Sequence, residues 1–251
     1  MRVPEATPAR APPREGAQRP PTWPALSRVS QTYPDPVATT QPSLLATLRT
    51  LALPRSARLS RDGVAFARIW PDLATVPGLL ISPLQEFWLF QAARALPNTA
   101  TIVEIGSFKG RSTSALAYGC RGTERHVYAL DTFDGNDNDF DTRGFRAEFD
   151  ANIARGGLTD YVTAVPGRSL ETAAHWDRPI DLLFIDGSHD FDDVVADFHG
   201  FVRHVRPGGL VAVHDVLPTW EGVDRAWREV IAPELIATGN CATLAYGRVP
   251  S

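Results

Sequence analysis

Apolar and polar positions fall into three regimes along the chain. Residues 1–40 show no apolar periodicity and hold nine of the 21 prolines, Pro12-Pro13 and Pro20-Pro21 among them. Proline removes a backbone donor and blocks regular ladders, so this stretch predicts a disordered Pro- and Arg-rich arm. The arm is expected to be an inert tail or a misassigned start rather than a docking segment, with Trp23 and Tyr33 as the residues that could anchor it. From 43 to 53 the apolar residues take a helical spacing, and Val76-Pro77-Gly78 follows as a turn signal. The run 83–96, PLQEFWLFQAARAL, predicts an amphipathic helix whose stripe is Leu84, Phe87, Trp88, Gln91, Ala92 and Ala95, stopped by Pro97-Asn98. Residues 41–97 are therefore expected to form a helical cap, with 70–87 as a lid, on a domain at 98–251.

From Thr99 onward the pattern changes. Short apolar runs at 100–105, 126–130, 161–165, 180–185 and 210–214 alternate with helical stretches around 112–118, 142–154, 169–176, 191–205 and 222–231. Near-continuous apolar strands separated by helices predict a parallel sheet covered on both faces. Two β-like runs close the chain at 234–237 and 242–246, with Gly239-Asn240 between them as the expected hairpin turn. Five parallel strands and a terminal hairpin make a seven-stranded, Rossmann-like α/β sheet the expected architecture.

Composition narrows the function classes. A chain of 251 residues that is 43% hydrophobic can bury one sizeable core. Its formal charge of -4 offers no basic footprint, so nucleic acid is not an expected partner. No apolar run has membrane-spanning length and no apolar leader is read, so neither a membrane span nor secretion is expected. Cys120 and Cys241 lie far apart without CxxC spacing, which fits a reduced, cytoplasmic protein. Lys109 is the sole lysine among the 25 basic residues.

That lysine sits in the most informative loop. The first strand runs into Glu104-Ile105-Gly106-Ser107-Phe108-Lys109-Gly110-Arg111-Ser112. A glycine turn between strand and helix lets a ligand approach the backbone at the carboxyl edge of the sheet. The dinucleotide fingerprint GxGxxG is not met, because Ser107-Phe108 occupy the place of its second glycine. The phosphate loop fails as well, since Lys109 precedes Gly110. Glu104 would repel a pyrophosphate and would suit a cationic ligand. Asp131, closing the second strand, stands where an acid takes ribose hydroxyls. The pair fits a nucleoside with a positively charged amino-acid tail.

The motifs VEIGSFKGRST, LDTFDG, LLFIDGSHDFDDVVADF and RPGGLVAVHD, in this order, carry a family resemblance. The chain resembles class I S-adenosylmethionine-dependent methyltransferases over roughly residues 78–246. Within that class it is similar to macrocin- and mycinamicin-type sugar O-methyltransferases and to the cephalosporin-hydroxylase-like group. The resemblance implies S-adenosyl-L-methionine as cofactor. Glu104, Gly106, Ser107 and Gly110 would line its methionine part, Asp131 would hold the ribose, and Gly167-Arg168-Ser169 would lie near the adenine.

The fourth strand ends in Asp186-Gly187-Ser188-His189 and the fifth in His214-Asp215. Adjacent parallel strands bring these ends together, and carboxylates with imidazole can hold a divalent cation. In the resembling sugar O-methyltransferases acids at these strand ends bind magnesium, which maps the ligands onto Asp186, His214 and Asp215. A histidine three residues after the first acid is the general base there, a spacing His189 keeps, with Asp186 beside it. His214 departs from that pattern, which carries an acid. Magnesium prefers oxygen, so the histidine favours manganese, iron, zinc or no metal. The implied reaction is methyl transfer to a hydroxyl of a sugar or other small natural product. The acceptor contacts are expected from 134–143 and 218–223, Trp220 included, with a homo-oligomer left open. An NAD-dependent oxidoreductase and a non-catalytic nucleoside-binding protein of the same fold are the alternatives.

Overall fold

The computed structural model describes residues 43–51, 53–78, 83–134 and 144–251. The arm at 1–40 and most of the 134–143 loop lie outside them. Seven strands form one sheet: β1 (Thr101–Ile105), β2 (His126–Asp131), β3 (Val162–Pro166), β4 (Ile180–Ile185), β5 (Val205–Val213), β6 (Ile236–Cys241) and β7 (Leu244–Arg248). Their order is β3-β2-β1-β4-β5-β7-β6. The first five run parallel, and β7 is antiparallel to both its neighbours. This is the Rossmann-like sheet with a C-terminal hairpin that the hydrophobic pattern predicts.

Side chains alternate between two buried faces. Ile102, Leu182, Phe184 and Ala212 point into one core, and Val103, Ile105, Leu183, Ile185, Val211 and Val213 into the other. Burial on both faces explains why these strands read as unbroken apolar runs. The first face is covered by α4 (Pro83–Ala95) and α5 (Arg111–Cys120); the second by α8 (Phe191–Val202) and α9 (Glu221–Ala226). The helix α5 is buried along nearly its whole length. It crosses α4 closely because residue 119 is glycine, where a Cβ would lie 2.6 Å from the Phe90 carbonyl oxygen. Chain order reverses between β1 and β4, so a crevice opens at their carboxyl ends, the place where open α/β sheets bind ligands.

The cap departs from the pattern reading. The expected 43–53 region holds α1 (Leu44–Thr50), and a short α2 (Arg55–Arg58) follows Pro54, its N-cap. A further helix, α3 (Arg61–Leu73), lies within the expected 41–97 helical region, in a run that the pattern does not single out. Ser60 caps it by accepting from the Gly63 amide, and Phe66 and Leu73 bury its apolar side. On α4 the buried positions are Gln85, Glu86, Phe87, Leu89, Phe90 and Ala93, so the expected stripe is rotated. The helix is packed between α3 and α5, and contact on both sides removes a single apolar face. Arg111 fastens this cap to the sheet domain. Its Nε sits 2.6 Å from Glu86 Oε1, and Nη1 donates to the Val76 carbonyl at 2.9 Å.

Two later boundaries also differ. The strand β5 begins at Val205, not near 210, running through Pro207-Gly208-Gly209 with a shift in its register against β4. Gly239-Asn240 lies inside β6, and the hairpin turns at Ala242-Thr243 instead. Ala242 adopts φ +55, while the Tyr246 hydroxyl occupies the space over Gly239, 2.7 Å from where a Cβ would stand.

Phe66 is fully buried against Trp70, Phe87 and Phe90, with ring centroids 5.3–5.7 Å apart. Phe66→Ala is expected to destabilise the protein by about 3–5 kcal/mol, through lost transfer energy and the cavity left behind. Urea denaturation followed by tryptophan fluorescence measures this. A cost below about 1 kcal/mol would mean that the cap melts independently of the sheet.

Candidate active site at the switch point of the sheet

The turn after β1 is held by its neighbours. Gly106 donates to the Leu130 carbonyl and Asp186 donates to the Ile105 carbonyl, at 2.9 and 2.8 Å. Gly106 adopts φ +84, and a Cβ there would lie 2.1 Å from the Asp186 carbonyl oxygen. Only glycine fits both conditions. The loop closes on Gly110, φ +88, which caps α5.

Glu104 is fully buried on the α5 side of β1. Its Oε2 accepts from Ser107 Oγ at 2.8 Å and from Thr113 Oγ1, while Oε1 is buried without a partner. Burial pushes its carboxyl up to about 7, against the hydroxyls that favour the charged form. The orphaned oxygen suits an ammonium or a bridging donor, which is the chemistry the methionine end of the cofactor would bring. Asp131 does more than the sequence implies. Its Oδ2 accepts from the Ser107 and Phe108 amides and its Oδ1 from the Phe133 amide, all at 2.8 Å. It ties the glycine loop to the end of β2 and keeps one acceptor site, on Oδ1, that a ribose hydroxyl would use.

At the ends of β4 and β5 the acids and histidines converge. His214 is buried, with Nδ1 3.1 Å from Asp186 Oδ1 and 3.2 Å from Asp215 Oδ2. Nδ1 thus faces both carboxylates as an ion pair, while Nε2 is buried without a hydrogen-bond partner. Burial opposes charging His214, yet the two carboxylates raise its pKa to about 10. Burial pushes the Asp186 carboxyl up. It would do the same to Asp215, but His189 and His214 hold that group well below the usual carboxylate range.

The donor atoms of Asp186, His214 and Asp215 all lie within 4.8 Å of one another. An octahedral ion with bonds of about 2.1 Å sets adjacent donors about 3 Å apart, so the cluster fits a small divalent cation in place of the imidazole proton. Asp215 itself adopts φ +57, as do Phe108 and Phe133 near their strand ends, with φ +46 and +57. Such backbone is costly outside glycine and persists where surroundings impose it.

His189 points Nε2 at Asp215 Oδ2, 3.2 Å away, and stacks on Trp220 with ring centroids 3.8 Å apart. Gly222 lets that segment approach, since a Cβ there would lie 2.2 Å from the His189 carbonyl oxygen. Trp220 is therefore committed to the histidine face, a contact across 31 residues that local pattern does not reveal. A cavity of about 10 Å³ lined by Ile185, Asp186, His189, Val213 and His214 has room for no more than a water-sized group.

Arg168 and Ser169 follow β3, three strands from β4 in the sheet order. Ser169 Oγ donates to Asp197 Oδ1 on α8, a buried acid whose carboxyl burial raises to about 6. Asp197 and Thr113 are site-region residues that the motif reading does not single out. Asp190 sits at the N-cap position of α8, and His199 pairs with the exposed Glu234. Among the described residues no helix is long and apolar enough to cross a membrane.

With this geometry in hand, comparison with known proteins is specific. Residues 103–216 match the family described as a methyltransferase domain. The seven-stranded order is that of a class I methyltransferase fold. The solved S-adenosylmethionine complex of the O-methyltransferase TomG from Streptomyces achromogenes shares it, with a TM-score of 0.56 at 21% identity over 78% of this chain and 94% of that one. Demethylmacrocin O-methyltransferase of Streptomyces fradiae is 41% identical over 58 residues, 23% of this chain and 14% of that protein. The O-methyltransferase hkm8 of Aspergillus hancockii is 24% identical over 181 residues, 72% of this chain and 64% of that protein. The chain thus spans less than two thirds of either curated relative. In family match, fold and motif order it resembles the S-adenosylmethionine-dependent O-methyltransferases.

Glu104 makes the stability of the unliganded protein depend on pH. Its folded pKa of about 7 lies above the ordinary 4.5, so the folded state keeps a proton that the unfolded chain releases. Stability should therefore fall as pH rises from about 4.5 to 7, by about 3 kcal/mol at most, and level off above. Glu104→Gln should flatten that segment of the profile. Melting curves at pH 5.5 and 8.0 test it, and an unchanged slope in the variant would assign the dependence elsewhere.

Proposed function

We propose that the protein is an S-adenosylmethionine-dependent O-methyltransferase acting on a hydroxyl of a sugar or other small natural product, assisted by a divalent cation. The observation that carries the reading is the His189–Asp215 pair beside Asp186 and His214, one strand from the orphaned carboxylate oxygen of Glu104. Glu104 would receive the cofactor's ammonium, with Gly106, Ser107 and Gly110 lining its methionine end. Asp131 would take the ribose, and Arg168 and Ser169 the adenine side. Asp186, His214 and Asp215 would hold the cation. When bound, the cofactor supplies an electrophilic sulfonium methyl with S-adenosylhomocysteine as leaving group, and a cation lowers the pKa of a coordinated hydroxyl.

The chain's own part is proton handling and positioning. Asp215 accepts from His189 Nε2–H, which fixes the tautomer that leaves Nδ1 free to take the hydroxyl proton. Trp220 holds the imidazole plane by stacking. The buried Glu104 and the phenylalanine in place of a second loop glycine argue against a dinucleotide pyrophosphate.

Calorimetry should show binding of S-adenosylhomocysteine and none of NAD, and Glu104→Gln should weaken it by about 1–3 kcal/mol. NAD binding with no response to S-adenosylhomocysteine would overturn the reading. His189→Ala should lower turnover by about 10²–10⁴-fold, followed as S-adenosylhomocysteine release with hydroxylated sugar acceptors, while cofactor affinity holds. A chelator should abolish activity reversibly. His214→Glu should shift metal preference towards magnesium, since carboxylate oxygen suits that ion better than imidazole. Activity indifferent to chelator would leave His189 and Asp215 to act without a cation.

A further inference from the structure

A second concavity opens on the same rim. It is a cleft of about 310 Å³, walled by Val216, Trp227, Thr238, Asn240, Thr243 and Ala245. Its position follows from the fold. The strands β5 and β6 are both antiparallel to β7, so β6 ends at the edge where β5 delivers Asp215. Val216 follows Asp215 directly, and its amide donates to the Thr243 carbonyl at 2.9 Å. The Thr243 hydroxyl accepts from Gln85 Nε2 at 2.8 Å, which steadies the hairpin turn against the cap. Thr238 and Asn240 alternate along β6 and so share a face, with Ala245 opposite Asn240 on β7. Trp227 closes the cleft from a single π-helical turn, Trp227–Ile231, an uncommon backbone form that recurs at functional sites.

The chemistry of the walls selects an occupant. Among the described residues that line the cleft, none ionises. An anionic ligand would find no cation there, and a hydrocarbon would cover the Thr238 hydroxyl and the Asn240 carbonyl oxygen without pairing them, while Asn240 Nδ2 already donates to the Ala242 carbonyl at 3.4 Å. A pyranose ring carries an apolar C–H face for an indole and hydroxyls that both donate and accept, matching asparagine and threonine. The volume suits one such ring. We infer that this cleft is a subsite for a neutral sugar ring of the acceptor, the one next to the ring that receives the methyl group. The inference rests on the O-methyltransferase reading for its placement beside Asp215, but binding of the sugar can be measured without methyl transfer.

The test uses the full chain without cofactor and the probes methyl β-D-glucopyranoside and methyl α-L-rhamnopyranoside, followed by saturation-transfer NMR titration. At least one glycoside should bind saturably. Asn240→Leu and Trp227→Leu should each weaken that binding by about tenfold or more. Asn240 is exposed on an edge strand, so Asn240→Leu should leave the melting temperature unchanged and decides the matter if Trp227→Leu fails to fold. Saturable binding of neither glycoside, or equal affinity in the wild type and Asn240→Leu, overturns the subsite. S-adenosylhomocysteine binding without glycoside binding would remove the subsite and leave the methyltransferase reading standing. Glycoside binding sensitive to both substitutions, without S-adenosylhomocysteine binding, would do the reverse.

Discussion

The contact on which the molecule depends is the close approach of the β1 turn to the end of β4. Gly106 presses against the Asp186 carbonyl, and the Asp186 amide bonds back to Ile105. This junction joins the two halves of the sheet where chain order reverses. It brings the glycine loop within one strand of the acid–histidine cluster, with no spacer between a cationic ligand's seat and the groups that would handle a hydroxyl. A side chain at 106 would force the strands apart and separate the two kinds of chemistry.

Charge at that junction is managed by burial and pairing in different proportions. Glu104 is surrounded by hydroxyls and backbone, so a proton is the cheapest way to neutralise one orphaned oxygen. Asp186 and Asp215 sit side by side and would repel each other without the imidazole between them. The same imidazole nitrogen would be one of the donors to a cation held with the two carboxylates. A proton on that nitrogen would compete with such a cation, and the protonated histidine offsets the carboxylate charge when no cation is bound. An acid at 214 would instead add a third negative charge that only a cation could offset.

Much of this was legible in the sequence for one reason: strand ends are predictable where strands are buried on both faces. Asp131, Asp186 and Asp215 each close an apolar run and Glu104 stands one residue before the end of another, so the parallel topology collects them near one edge. The cap was harder. Gly63 and Pro71 interrupt the helical signal of α3, although Phe66, Trp70 and Leu73 keep its spacing. The hairpin misled because Gly239-Asn240 is a strong turn dipeptide, yet the Tyr246 ring requires glycine at 239 within a strand. Contacts remote in sequence could not be read locally: Trp220 on His189, Ser169 on Asp197, and the arginine that fastens cap to loop.

That arginine constrains how such a protein can be rebuilt. Arg111 belongs to the glycine-loop helix, whereas Glu86, Val76 and the Trp70 ring beneath it belong to the cap. Glu86 is buried, and burial already pushes its carboxyl up despite the guanidinium beside it. A chimera that joined this sheet to a foreign cap would strand one partner of a buried ion pair, a loss far larger than that of an exposed one. Recombination between relatives should therefore succeed when the crossover falls after α5, and fail when it falls between α4 and β1, however neutral that short linker looks.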